Sequence, residues 1–150
     1  MITGLTLKNS IISGANNLSN RRAKVDELNV FPVPDGDTGT NMSMTMASAM
    51  TELDKLEEPT LAKAADTAAS ALLRGARGNS GVILSQLFRG FTKEIKTVDK
   101  ITTTTLANSF VRATETAYKA VMKPKEGTIL TVAKGMADKA LEMAAETDDI

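Results

Sequence analysis

The most informative part of the sequence runs Asn29-Val30-Phe31-Pro32-Val33-Pro34-Asp35-Gly36-Asp37-Thr38-Gly39-Thr40-Asn41-Met42. Two prolines stiffen its first half, because a proline ring fixes one backbone angle. Two aspartates then flank a glycine, and two threonines follow directly before apolar residues that recur at helical spacing. We therefore predict a rigid loop that opens into an α-helix.

The side chains of this loop favour a site for a metal ion and a phosphate. Asp35 and Asp37 can converge on a hard cation such as Mg²⁺, which prefers carboxylate and phosphate oxygens. Thr38, the Gly39 amide and the first amides of the helix can meet a phosphate at the positive helix end. The alternative is a plain Asx turn with a helix cap, because Asp-Gly turns are common. A calcium loop of the EF-hand type is excluded, since its twelfth position would be Met46.

Helical periodicity continues on both sides of the loop, and the alternation typical of strands is rare. Six apolar stripes are predicted to be helices: Leu7 to Leu18, Met42 to Leu53, Leu61 to Leu72, Ile83 to Ile95, Leu106 to Val121 and Ile129 to Met143. Thr60 is a candidate N-cap and Pro124 ends the fifth stripe. Six amphipathic helices with short breaks predict an all-α fold, an antiparallel up-and-down bundle or barrel. No linker-like stretch interrupts them, so residues 1–150 are expected to form one domain.

Composition excludes several classes of function. The 150 residues include 18 basic and 18 acidic side chains and only 3% aromatic residues, so nucleic acid is not an expected partner. The chain has no cysteine and no histidine, and therefore no thiol nucleophile, imidazole base, zinc site or catalytic triad of its own. No transmembrane-length apolar run is present, and a cytoplasmic protein is expected.

Two further loops contain glycine at helix breaks. Arg74-Gly75-Ala76-Arg77-Gly78-Asn79-Ser80-Gly81 offers small residues and a serine hydroxyl, but it lacks the Gly-Lys-Ser/Thr of a Walker A loop. The other is Lys123-Pro124-Lys125-Glu126-Gly127-Thr128-Ile129. Each alone is explained as well by ordinary helix caps. In an antiparallel bundle, however, all three loops lie at the same end, which is what a nucleotide site requires.

These three segments resemble the nucleotide-binding domain of the dihydroxyacetone kinase L type, and within that family the N-terminal domain of bacterial fatty acid kinase A subunits. The resemblance covers essentially the whole chain. It implies an all-helical barrel that holds ATP at one end through two Mg²⁺ ions. Because the domain is longer in that family, the resemblance also leads us to expect a truncated barrel, an N-terminal fragment of a longer protein.

The resemblance also implies the site residues. Asp35 and Asp37 match the family's aspartate cluster and are expected to be the catalytic metal ligands, with Asn29 as the nearest match to a third ligand. ATP is expected to contact residues from all three loops: Thr38, Gly39, Thr40, Asn41, Gly78, Asn79, Ser80, Gly81, Gly127 and Thr128. Ser80 is expected to serve both as a helix cap and as a phosphate donor.

The function that the resemblance implies is phosphoryl transfer from Mg·ATP to a fatty-acid carboxylate, giving an acyl phosphate for phospholipid metabolism. The acyl chain is expected to arrive on a separate fatty-acid-binding protein. An ionised carboxylate needs no general base, which suits a chain without histidine. Alternatives are a dihydroxyacetone phosphotransferase subunit that keeps its nucleotide bound, and a non-catalytic nucleotide-binding module.

A final expectation concerns the first and last helices. Their apolar faces are expected to be uncovered and to cause self-association, a homo-oligomer, through Leu7, Ile11 and Leu18 on one side and Val132, Met136 and Met143 on the other. The alternative is that the first and last helices close directly on each other in a compact six-helix bundle.

Overall fold

Seven α-helices form the protein in a computed structural model that describes all 150 residues, and no strand is present. They are α1 (Gly4–Asn20), α2 (Arg22–Leu28), α3 (Thr38–Leu53), α4 (Leu61–Gly75), α5 (Gly78–Ile95), α6 (Thr103–Ala120) and α7 (Ile129–Ala144). The prediction of an all-α bundle is confirmed. About six helices were expected, and the additional one is the seven-residue α2, which has no buried residue and therefore leaves no apolar stripe in the sequence.

Threonine caps begin four of the helices. Thr3, Thr60 and Thr102 each accept a hydrogen bond from the amide three residues ahead, and Thr128 accepts one from Leu130. Such a cap typically contributes about 1 kcal/mol. The predicted cap at Thr60 is confirmed. Helices α3 and α5 differ from these four, since neither has a side-chain cap from its own N-cap residue.

The core is built largely from alanine. Ala49, Ala64, Ala65 and Ala68 are fully buried beside Leu53, so that α3 and α4 approach closely. Helix α1 packs on α3 and α4, α5 packs on α4 and α6, and α7 packs mainly on α6. No helix of the protein is both long and apolar enough to cross a membrane.

The two outer helices differ in how well they are covered. Leu7 and Ile11 of α1 are only 6% and 7% exposed and Leu18 is half-buried, so the expectation of an uncovered α1 face is wrong. The reason is that α3 and α4 both lie against that face. On α7, Val132, Met136 and Met143 are exposed as expected.

An apolar cavity of about 470 Å³ lies between these outer helices. Phe88, Phe91 and Phe110 line its α5 and α6 side, with the last two rings 5.5 Å apart, and Ile11 and Met136 face it from α1 and α7. The bundle therefore does not close through direct packing of α7 on α1.

Candidate functional site

The loop between α2 and α3 is held in place by one side chain. Asn29 Oδ1 accepts hydrogen bonds from the amides of Asp37 at 3.1 Å and Thr38 at 3.2 Å, while its Nδ2 donates to the Val33 carbonyl at 3.1 Å. The oxygen that was expected to coordinate a metal is therefore engaged with two backbone amides. In this structure Asn29 braces the loop.

The two aspartates of the loop remain unengaged. Asp35 and Asp37 are exposed, and the carboxylates take part in no hydrogen bond or ion pair with the protein. Gly36 between them has φ of +65°, a conformation that favours glycine and brings the chain round sharply. Nowhere do three or more acidic side chains gather closely enough to hold a metal by themselves. The pair thus fits Mg²⁺ held by one or two carboxylates together with phosphate oxygens.

Asp26 is the acidic residue that the sequence analysis missed. Its Oδ1 accepts a hydrogen bond from the Thr40 amide at 2.9 Å, and its Oδ2 accepts one from the Thr40 hydroxyl at 2.6 Å. The Thr40 hydroxyl, followed by the Thr40 amide, lowers the pKa of this carboxyl below its ordinary value of 3.8. Both groups of Thr40 that were expected to meet phosphate therefore donate to Asp26. The only sign of Asp26 in the sequence was a carboxylate nine residues before Asp35. Asp26 lies on α2, a helix without an apolar stripe.

The N-termini of α3 and α5 lie side by side. Ser80 Oγ is 3.4 Å from Thr38 Oγ1, and a side chain at Gly78 would lie 2.5 Å from Asn41 Nδ2. Gly78 also has φ of +65°, so both its conformation and its surroundings require glycine. The first two loops, including four residues expected to bind ATP, are thus in contact.

The start of α5 presents unused donors. The amides of Gly78, Asn79 and Ser80 donate to no protein acceptor, while the Gly81 amide already makes the first helical bond, to the Arg77 carbonyl. Gly81 itself is buried, and a side chain there would overlap the Thr45 hydroxyl. Free amides at the N-terminus of a long helix attract anions.

The expectation that Ser80 caps this helix is wrong. Arg77 occupies the N-cap position and makes no side-chain cap bond. The Arg77 amide instead donates to Thr45 Oγ1 at 3.0 Å, which fixes the loop against α3. Ser80 lies inside the first turn, where its hydroxyl donates to Thr38 Oγ1 at 3.4 Å and not to the backbone of α5.

The third loop, between α6 and α7, lies near the first loop at Gly127. Gly127 has φ of +82°, and a side chain at this position would make ordinary contact with the Phe31 ring at 3.8 Å. Thr128 caps α7 and also donates to the Lys125 carbonyl at 2.8 Å. Residues of all three loops therefore lie close together at one end of the bundle.

A polar network holds this third loop. Glu126 accepts hydrogen bonds from the Thr131 hydroxyl at 2.6 Å and the Tyr118 hydroxyl at 3.0 Å, and the Gly127 amide donates to Thr131 Oγ1 at 2.8 Å. The Thr131 bond, then the Tyr118 bond, lowers the pKa of Glu126 below its ordinary value of 4.5. Loss of hydration, with the Glu126 bond and charge, raises the pKa of Tyr118. The sequence analysis did not identify this network, which joins α6 and α7.

Comparison with known proteins identifies the family of the chain. A family model described as "DAK2 domain" matches residues 32–150. An uncharacterized protein of Staphylococcus haemolyticus is 55% identical over 148 residues, which is 99% of this chain and 27% of that protein. Uncharacterized proteins of two Staphylococcus aureus strains, USA300 and COL, are 55% identical over the same shares. The chain thus spans about a quarter of the length of these curated relatives. With more than half of its residues matched, the chain belongs to the DAK2 domain family, the nucleotide-binding module of dihydroxyacetone-kinase-type proteins.

Proposed function

We propose that this chain is the ATP-binding domain of a kinase that phosphorylates a fatty-acid carboxylate to an acyl phosphate. One observation carries the proposal: the unengaged carboxylates of Asp35 and Asp37 lie in a loop that adjoins the free amides of Gly78, Asn79 and Ser80. Negative ligands for a cation and positive donors for a phosphate thus meet at one end of the bundle. Mg·ATP is the ligand whose chemistry uses both.

Each group has a separate task in this proposal. Asp35 and Asp37 would hold Mg²⁺, and the charge that the ion supplies offsets the negative charge of the phosphates. The amides of Gly78, Asn79 and Ser80, with the Ser80 and Thr38 hydroxyls, bind phosphate oxygens. Positioning and charge stabilisation carry most of the catalysis in phosphoryl transfer. A new bond forms between a carboxylate oxygen and the γ-phosphorus, the β–γ bridging bond breaks, and ADP leaves.

The nature of the acceptor is supported by what the chain lacks. No histidine or cysteine is available as a base, and both oxygens of Glu126 and Asp26 are occupied by hydrogen bonds. A fatty-acid carboxylate is ionised at neutral pH and attacks without losing a proton. A carboxylate acceptor is therefore the one that needs no general base from these residues.

The surroundings of the aspartates support delivery by a partner protein. Val30, Phe31 and Val33, in the loop before Asp35, are 70%, 55% and 54% exposed. A stiff loop that exposes apolar side chains beside a charged site is a typical protein-docking feature. We propose a fatty-acid-binding protein as the partner that presents the carboxyl group here.

Nucleotide binding by the 150-residue chain tests the first half of the proposal. Fluorescent ADP should bind in magnesium buffer, and Asp35→Asn or Asp37→Asn should weaken binding at least about tenfold, since each removes one metal-binding charge. Asp54→Asn is the matched control, because Asp54 is an exposed aspartate without a side-chain partner at the opposite end of α3. Equal loss in the control variant, or no nucleotide binding by the wild type, would contradict the proposal.

Acceptor choice tests the second half and requires the full-length protein. With radiolabelled ATP, label should move to an acyl-loaded fatty-acid-binding protein and not to dihydroxyacetone. Transfer to dihydroxyacetone would establish the phosphotransferase alternative. Nucleotide binding without transfer to either acceptor would support the alternative of a non-catalytic nucleotide-binding module.

A further inference from the structure

The N-terminus of α3 is capped by an aspartate of another helix and not by the aspartate at its own N-cap position. Asp37 occupies the N-cap position, from which an aspartate side chain normally accepts a hydrogen bond from an amide of the first turn. Here the amide three residues on, that of Thr40, donates to Asp26 of α2 at 2.9 Å. The Asp37 carboxylate makes no cap bond.

Three other donors near Asp37 are also occupied. Asn29 Oδ1 takes the amides of Asp37 and Thr38, and the Thr40 hydroxyl donates to Asp26 Oδ2 at 2.6 Å. The amides of Asp37, Thr38 and Thr40 are therefore satisfied by residues of α2 and its C-cap, and only the Gly39 amide of this turn donates to no acceptor.

Close packing holds α2 in the position that this arrangement needs. Gly39 in the first turn of α3 is buried against the backbone of α2, and a Cβ there would lie 3.0 Å from Val25 Cβ and would overlap the Arg22 carbonyl oxygen. Only a glycine allows this approach. The short helix thereby brings Asp26 to Thr40, fourteen residues along the chain.

We propose that Asp26 is a positioning residue that caps α3 in place of Asp37 and so leaves the Asp37 carboxylate free to bind a divalent cation. The proposal rests on the proposed function, since it concerns the same metal–nucleotide site. Each Asp26 oxygen already accepts a hydrogen bond from Thr40, and the proposal assigns Asp26 no contact with the cation. Its effect passes through Asp37.

Direct cation binding tests this, with Mn²⁺ as the probe, alone and with ADP, detected by electron paramagnetic resonance. Asp26→Asn should weaken Mn²⁺ binding at least about fivefold, the scale expected when one charge-assisted hydrogen bond is lost. Its melting temperature should stay close to that of the wild type, because Asp37 can then cap the helix. Glu27→Gln is the matched control for loss of charge, since Glu27 is the exposed neighbour of Asp26 on the same helix. This control should bind Mn²⁺ as the wild type does.

A double-mutant cycle with Asp37→Asn separates positioning from direct ligation. The effect of Asp26→Asn on Mn²⁺ affinity should disappear in the Asp37→Asn background, because no carboxylate remains at position 37 to be freed. An equal effect in both backgrounds would mean that Asp26 acts on the cation independently and would overturn the proposal. So would unchanged Mn²⁺ affinity in Asp26→Asn, or an equal loss in Glu27→Gln.

A second pair of variants keeps the test valid if Asp26→Asn fails to fold. Thr40→Val removes the hydroxyl bond to Asp26 and keeps the amide, whereas Thr40→Ser restores the hydroxyl. Weaker Mn²⁺ binding in the first and recovery in the second are expected, and equal affinities would overturn the proposal. A wild type that binds neither Mn²⁺ nor ADP would overturn the proposed function as well, whereas normal wild-type binding with unaffected variants overturns this proposal alone.

Discussion

Gly39→Ala should separate stability from ligand binding in this protein. The new methyl group would overlap the Arg22 carbonyl oxygen and lie 3.1 Å from the carbonyl carbon, whereas ordinary contact begins near 3.4 Å. Helix α2 must therefore retreat by about 1 Å. The two bonds from Thr40 to Asp26, now 2.9 and 2.6 Å, then stretch beyond hydrogen-bonding distance.

We expect a small change in the free energy of unfolding and a large change in ligand affinity. Helix α2 buries no residue, so displacing it costs about 1 kcal/mol. Alanine within a helix returns about 0.5–1 kcal/mol relative to glycine. The free energy of unfolding should thus change by less than about 1 kcal/mol, a few degrees in Tm. A shift of about 1 Å in positioning groups can cost up to about a hundredfold in function, and we expect Mg·ADP affinity to fall at least about tenfold.

Urea unfolding followed by circular dichroism, and titration with fluorescent ADP, measure the two quantities on one sample. Gly135→Ala is the matched control, because no atom lies within 4 Å of the position of its new methyl group. This control should be slightly more stable and should bind normally. Unchanged nucleotide affinity in Gly39→Ala would refute the reasoning that links α2 to the site, and so would a large loss of stability with no selective loss of binding.

Three further predictions concern other parts of the bundle. Ser80→Ala should weaken ADP binding about fivefold in calorimetry and leave Tm nearly unchanged, since Ser80 does not cap α5. Gly90→Ala should lower the free energy of unfolding by about 1–3 kcal/mol in urea titrations, because its Cβ would lie 2.5 Å from the Arg112 carbonyl oxygen on α6; stability equal to that of Gly135→Ala would contradict the close crossing of α5 and α6. Since folding lowers the pKa of Glu126, its contribution to stability is complete above the ordinary pKa of 4.5 and is lost as the pH falls through the lowered value. The difference in urea midpoint between wild type and Glu126→Gln should therefore be constant from pH 7 to about pH 5 and shrink in more acidic buffer.

The sequence predicted what depends on local patterns. Long amphipathic stripes and a threonine before Leu61 predicted helices and a cap correctly, because both signals act within one or two turns. Helix α2 was missed, since a short helix that buries nothing has no periodic signal. The covering of Leu7 and Ile11 was missed for another reason: apolar spacing shows that a face is buried and does not show which helices cover it.

In the site, too, the sequence predicted what depends on local spacing and did not predict what depends on tertiary packing. Asp35 and Asp37 stand out through their spacing, whereas the partner of Thr40 is fixed by tertiary packing of α2 on Gly39. The family resemblance led to Asn29 as a third ligand, and the structure engages its oxygen with two amides instead. Ser80 was assigned as a cap because serine favours that position, but α5 begins two residues earlier, at Gly78.

The N-termini of α3 and α5 differ in how much unpaired positive charge they present to the site. A helix N-terminus carries a partial positive charge of about half a unit. At α3 the Asp26 carboxylate already lies against this charge and cancels much of it. At α5 no acidic side chain lies in the first turn and three amides remain unpaired. Under the proposed function, the phosphates of a nucleotide would therefore be attracted more strongly to the N-terminus of α5 than to that of α3.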